Sequence, residues 1–164
     1  MSELALTAQD VLDWNNTISG KWRNFLAEHP QILALPTDIA GTETVAQLLQ
    51  HIVAVELRYA ERIARIPETP YDQIPFDSVE TIYATHDRAI QLFKEALAAD
   101  IDWSQSVEFA TRSYGTLRTS LKTIYFHALL HGMRHYAQLS TLVRQNGYKP
   151  TWLGDYLMMG VERV

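Results

Sequence analysis

Apolar residues recur every three or four positions along most of this chain, with polar and charged residues between them. Val11, Trp14, Ile18, Trp22 and Phe25 form one such stripe over about residues 7–28, the mark of an amphipathic helix. Pro30 lies just past its end. A second stripe, Leu48, Ile52, Val55, Tyr59 and Ile63, opens at Thr44 and stops before Pro67. Gln47, three residues after Thr44, completes the pattern of a capping box. A third helix opens at Asp77 or Ser78, with Glu80 placed to cap it. Ile82, Ala89, Leu92, Phe93 and Leu97 carry its periodicity to about residue 99. The fourth runs from residue 119 or 120 to 146. Gly147 follows as a natural helix terminator, with Pro150 just beyond.

The segments between are short of periodicity. Residues 35–41 read as a loop, and Pro67, Pro70 and Pro75 mark a second connection. Residues 101–118 differ: Val107, Phe109 and a Tyr114-Gly115 turn signal predict a short irregular or β-hairpin-like excursion. A last short helix is expected over about residues 152–162. No repeat, low-complexity tract or interdomain linker interrupts the chain. The expected fold is an all-α four-helix bundle, one domain over residues 1–164, with an antiparallel arrangement the simplest solution.

Composition narrows the chemistry. A formal charge of −5 argues against non-specific nucleic-acid binding and against an anionic membrane surface. The absence of cysteine removes disulfides, thiolate metal sites and cysteine nucleophiles. Any metal must therefore be held by His, Asp, Glu or water. No apolar run approaches the roughly 20 residues of a membrane span. The start, Met1-Ser2-Glu3-Leu4-Ala5, lacks a basic-then-apolar signal pattern. A cytoplasmic protein is the expectation.

The chemistry concentrates in the fourth helix, where His127, His131 and His135 stand four residues apart. Such residues lie one above another on a helix face. They share that face with Ile124, Ala128, Gln138 and Leu142. The opposite side is also apolar, at Phe126, Leu129, Leu130 and Met133, so this helix should be covered on two sides. A homodimer packed through it is the expected cover. Buried histidines admit two readings: core residues hydrogen-bonded in place, or metal ligands. A third ligand from another helix would favour the second, and His51 is the best placed. It lies at the edge of its stripe, on the side of Arg58 and Arg62, which suits a pocket mouth as well as a surface. Glu56 falls within the same stripe and must find a partner. An arginine, tyrosine or tryptophan partner is the structural reading; supporting a ligand or acting as a base is the functional one. His29 and His86 belong to no cluster and read as exposed or structural.

At these residues the chain resembles the DinB-like family of metal-binding four-helix proteins. The matching stretch is His127-Ala128-Leu129-Leu130-His131-Gly132-Met133-Arg134-His135-Tyr136-Ala137-Gln138-Leu139, with Leu48-Leu49-Gln50-His51-Ile52 and Glu56 upstream. The resemblance covers essentially the whole chain. It implies a bundle of unusual connectivity, commonly dimeric, with a divalent metal on three histidines. Carried over by position, the ligands are His51, His131 and His135, while His127 becomes a pocket or supporting residue. Where the family often has His-Arg-Gly-Gln, this chain has His135-Tyr136-Ala137-Gln138. That difference bears on the substrate and leaves the ligands in place.

Three imidazoles would leave a tetrahedral ion one open position, the catalytic pattern for zinc; nickel is the alternative. The resemblance implies a transferase acting with a low-molecular-weight thiol. A metal-dependent hydrolase and a non-enzymatic dimeric stress-related bundle are the rivals. Gln138, three residues past His135, is placed to orient a ligand or a water.

Overall fold

A computed structural model of the chain describes residues 4–111, 113–162 and 164. The Met1-Ser2-Glu3 start lies outside the described residues. Four helices dominate: α1 (Ala8–Glu28), α2 (Val45–Ile63), α3 (Val79–Ala98) and α4 (Leu121–Gln145). Two short strands, β1 (Ser106–Ala110) and β2 (Thr116–Ser120), pair antiparallel between α3 and α4, from Ser106 opposite Ser120 to Ala110 opposite Thr116. Gly115 takes the positive φ of the turn. The excursion predicted before the last long helix is thus a true hairpin. No helix among the described residues is long and apolar enough to cross a membrane.

The caps explain where the helices start. Thr7 and Ser78 each accept a bond from the amide of the third helical residue, Asp10 or Thr81, and donate their own amide to its side chain. Thr81, not Glu80, therefore closes the box on α3. At α2 the Thr44 hydroxyl accepts from the Gln47 amide, but the Gln47 side chain reaches the amide of Glu43 (2.7 Å), one residue early. Ser120 ends β2 and caps α4.

The connectivity departs from the simple antiparallel expectation. α2 packs against α3 and α4, and α1 against those same two helices, so α1 and α2 lie across a diagonal. One half of the core joins Trp22 and Leu26 of α1, Leu48 and Ile52 of α2, Ile82 and Tyr83 of α3, and Leu139 and Val143 of α4. The other joins Val11 and Leu12, Leu57 and Ile63, Phe93 and Ala96, and Leu121 and Tyr125. Early α1 thus meets early α4, and early α2 meets early α3: both pairs run parallel. Parallel neighbours need a connection that travels the length of the bundle. α2, with 19 residues, is about 28 Å long. Residues 64–78, stiffened by Pro67, Pro70 and Pro75, cover that distance and bury Ile74 on the way.

Between the two halves of the core lies a polar layer. Glu56 of α2 is fully buried. His86 Nδ1 of α3 donates to its Oε2 (2.7 Å), and Asn15 Nδ2 of α1 donates to its Oε1 (3.1 Å) and to the Leu129 carbonyl of α4 (3.0 Å). Gly132 completes the layer: a Cβ there would stand 3.1 Å from Glu56 Oε1 and 3.2 Å from Asn15 Nδ2. The partner of Glu56 is therefore a histidine and an asparagine, not the arginine, tyrosine or tryptophan expected. His86, without periodic company in the sequence, is a buried structural residue. His29 packs between the rings of Phe25 and Tyr148.

Two further expectations are corrected. Leu129, counted with the second apolar face of α4, is buried in the bundle's own core because α1 runs alongside. Phe126 and Met133 are partly buried, and Leu130 alone of the four is exposed. The helix expected over residues 152–162 is only a 3-10 turn, Tyr156–Met159. Gly154 and Gly160 flank it, and no side chain caps it. Its apolar residues serve as anchors instead: Trp152 packs edge-on against Trp22, Tyr156 against Trp14, and Trp14 Nε1 donates to the Gly154 carbonyl (3.1 Å).

Glu56→Ala strips His86 Nδ1 of its partner and Asn15 Nδ2 of one of its two, beside a small void. It is expected to cost about 3 kcal/mol, because removing one member of a buried polar pair strands the other. In a chain this size that is a fall in Tm of roughly 6–12 °C. Thermal unfolding by circular dichroism measures it, and a loss under about 1 kcal/mol would show that the layer carries little stability.

Candidate metal centre

α4 presents His131 and His135 one turn apart, and α2 presents His51 opposite them. The ring centroids of His131 and His135 are 4.4 Å apart, and those of His51 lie 4.7 and 5.1 Å from them. One nitrogen from each ring falls within 4.8 Å of the others, so the three can hold a metal ion. Bonds of 2.0–2.1 Å at a tetrahedral angle place ligand nitrogens about 3.3 Å apart. The Nε2 atoms of His131 and His135 already approach to 3.1 Å.

The hydrogen bonds around these rings show which atoms are available. Gln138 Oε1, an acceptor, lies 2.7 Å from His135 Nδ1. That nitrogen must carry the ring proton, which leaves the Nε2 lone pair facing His131. An Arg134 guanidinium nitrogen donates to the same Nε2 (3.2 Å). His131 cannot be satisfied in either tautomer. With its proton on Nε2 it donates to His135, and the buried Nδ1 has no partner. With the proton on Nδ1, that buried N–H is the orphan and two lone pairs confront each other. A cation between the Nε2 atoms replaces that confrontation with two bonds, while His131 Nδ1 stays without a partner among the described residues. The donor set thus fits a divalent ion.

Electrostatics agrees. Burial, then the neighbouring His135, His51 and His127 rings, brings the His131 pKa down to about 2. Burial also lowers His135, against the opposing bond to Gln138, and lowers His127, with Arg134 adding to the effect. Neutral imidazoles are the form that binds metal.

His51 and His131 border an open pocket of about 850 Å³. Its α2 wall carries His51, Val55, Arg58, Tyr59 and Arg62, one face of the helix; α4 adds His127 and Arg134. The His127 ring stands 5.4 Å from that of His131 and 5.5 Å from that of Tyr59. The hairpin closes another side with Tyr114 and Leu117, held to α2 by Phe109 against Tyr59 and against the Arg62 guanidinium, 4.3 Å from the ring centre. Of the six residues singled out from the sequence, the structure brings His51, His131 and His135 together. It puts His127 in the adjoining pocket and Gln138 behind His135. Glu56 belongs instead to the polar layer with His86. Arg134, Glu68 and the hairpin's contribution were missed; for Arg134 the signal was its place beside His135.

The DinB family model matches residues 1–160 of the chain. No curated protein matches it.

The lowered histidine pKa values give the metal-free protein a pH dependence of definite sign. In the unfolded chain imidazoles take protons near pH 6.5. In the fold His131 resists protonation down to about 2. Below pH 6.5 the unfolded state therefore binds more protons, and stability falls with acidification. Urea midpoints should drop between pH 7.5 and 5, by less in His131→Gln than in the wild type. Equal drops in the two would mean that His131 does not carry the effect.

Proposed function

This chain belongs to the DinB family, and from that membership and the convergence of His51, His131 and His135 we propose a metal-dependent thiol S-transferase. The three imidazoles hold one divalent ion, zinc first and nickel second. The observation that carries this reading is the cluster of three imidazole nitrogen donors, two of them with Nε2 atoms 3.1 Å apart, at the edge of a small-molecule-sized pocket.

An ion held there supplies Lewis acidity, lowering the pKa of a thiol or water at its open position. The remaining roles fall to the chain. Gln138 fixes the tautomer and orientation of His135. His127, neutral and in the same pocket, takes the proton that the thiol gives up. The freed sulfur pair forms the new C–S bond as the electrophile's leaving group departs with its own pair. Hydrolysis is the second reading, since His127 would serve water as it serves a thiol; the one carboxylate among the described pocket residues, Glu68, is engaged by Arg62 and assists neither.

Titration with zinc, cobalt or nickel should show one ion per chain. His131→Ala should abolish tight binding, and Gln138→Leu should weaken it about 10–100-fold. A panel of glutathione, cysteine, bacillithiol and mycothiol against an alkylating electrophile then reads the transfer itself. No metal uptake at neutral pH would end the proposal, as would uptake with no thiol consumed faster than in the blank.

We propose further that the chain forms a homodimer through the exposed strip of α4. Leu130 is 45% exposed, beside the half-buried Met133 and the Trp14 and Tyr156 rings. Sedimentation should give a dimer for the wild type and a monomer of unchanged Tm for Leu130→Glu; a monomeric wild type at tens of micromolar refutes it.

A further inference from the structure

The protein is acidic overall, at −5, yet the pocket beside the three histidines is basic. Among the described residues, three guanidiniums, Arg58, Arg62 and Arg134, line it with a single carboxylate, Glu68, which leaves two of those positive charges uncompensated.

The three arginines are not equivalent. Arg62 is committed: its Nε and Nη2 donate to Glu68 (2.8 and 2.7 Å), and its plane lies against Phe109. It holds the hairpin and the segment after α2 in place. Arg58 reaches the same carboxylate only at 3.4 Å, and its Nε is buried with no hydrogen-bond partner. Arg62 Nη1 is likewise buried and unpaired. Arg134 makes no ion pair among the described residues, and its guanidinium rests on a neutral ring nitrogen, His135 Nε2. The two buried nitrogens, on Arg58 and Arg62, are out of reach of solvent. The donors open to a ligand are the remaining N–H groups of Arg58, whose side chain is 33% exposed, and of Arg134. Planar groups of this kind suit a two-oxygen or three-oxygen anion. The pocket volume of about 850 Å³ is that of a small-molecule site.

We propose that this pocket binds a small molecule through a carboxylate or phosphate group, held by Arg58 and Arg134, with Arg62 as the fixed support. In the proposed transferase this anionic group is the second handle of the substrate, set beside the end that reacts; to that extent the inference rests on that reading. The attraction itself requires no metal.

The test uses the metal-free, full-length protein at low ionic strength. Succinate and inorganic phosphate are titrated separately by calorimetry. Saturable binding of one anion per chain in the millimolar range or tighter is expected for at least one of them, and which one binds tells carboxylate from phosphate. Arg58→Gln combined with Arg134→Gln should weaken it about tenfold or more, since two charge-assisted contacts are lost. Arg144→Gln, which removes a charge at the far end of α4, should leave it unchanged. Should the double variant not fold, Arg134→Gln alone carries the test, its side chain being exposed. Absence of saturable binding by either anion overturns the proposal; so does equal binding by wild type and arginine variant, or an equal loss in Arg144→Gln. Metal titration of the same samples separates the two readings. Anion binding without metal uptake retires the transferase and keeps the pocket, and metal uptake without anion binding does the reverse.

Discussion

The buried carboxylate of Glu56 constrains this bundle more than any other single group. An ionisable oxygen pair at zero exposure is costly unless every lone pair is answered. Here the answers come from different helices: His86 on α3 and Asn15 on α1, with Asn15 also tied to the α4 backbone at Leu129. Gly132 lets α4 come close enough for this to happen. The layer therefore fixes the height of α4 against α2. Because His131 adjoins Gly132, the same register puts His131 opposite His51. A polar layer in the middle of the core thus positions a histidine cluster on its flank without touching it.

This explains which features could be read along the chain. Periodicity located all four helices, since each buries one face, and the Thr7, Thr44, Ser78 and Ser120 caps follow from local chemistry. The His131–His135 pair is equally local, one turn on one helix. His51 was harder to place, because its position at the edge of a stripe is compatible with a pocket or with plain solvent. Only the packing of α2 against α4 decides between them. The partner of Glu56 was out of reach for a related reason. His86 is thirty residues away with no pattern around it, and its role depends on α3 lying beside α2. The parallel pairing of α2 with α3 likewise depends on what residues 64–78 do as a crossover, which their proline content permits but does not specify.

The second apolar face of α4 shows the limit of single-helix reasoning. A helix wheel registers that Leu129 needs cover and is silent on its source. In the structure α1 supplies it, running parallel to α4, and the surface left over shrinks to the strip around Leu130. An apolar face implies burial; whether the cover comes from within the chain or from a second copy is a question of topology.

Arg134 links the candidate metal centre to the basic pocket. Its guanidinium donates to the one lone pair that His135, with its proton directed at Gln138, has to offer. A single lone pair serves one acceptor role at a time, so a guanidinium proton and a metal ion are mutually exclusive at His135 Nε2. Two cations would also repel one another at that separation. Occupation of the histidines would therefore release Arg134, and the space open to it is the pocket it already lines. Anion binding and metal binding would then reinforce each other, since the ion adds charge and frees a donor at once. Such coupling is reciprocal by necessity: an anion that draws Arg134 away from His135 would raise the affinity of the three histidines for metal by the same factor.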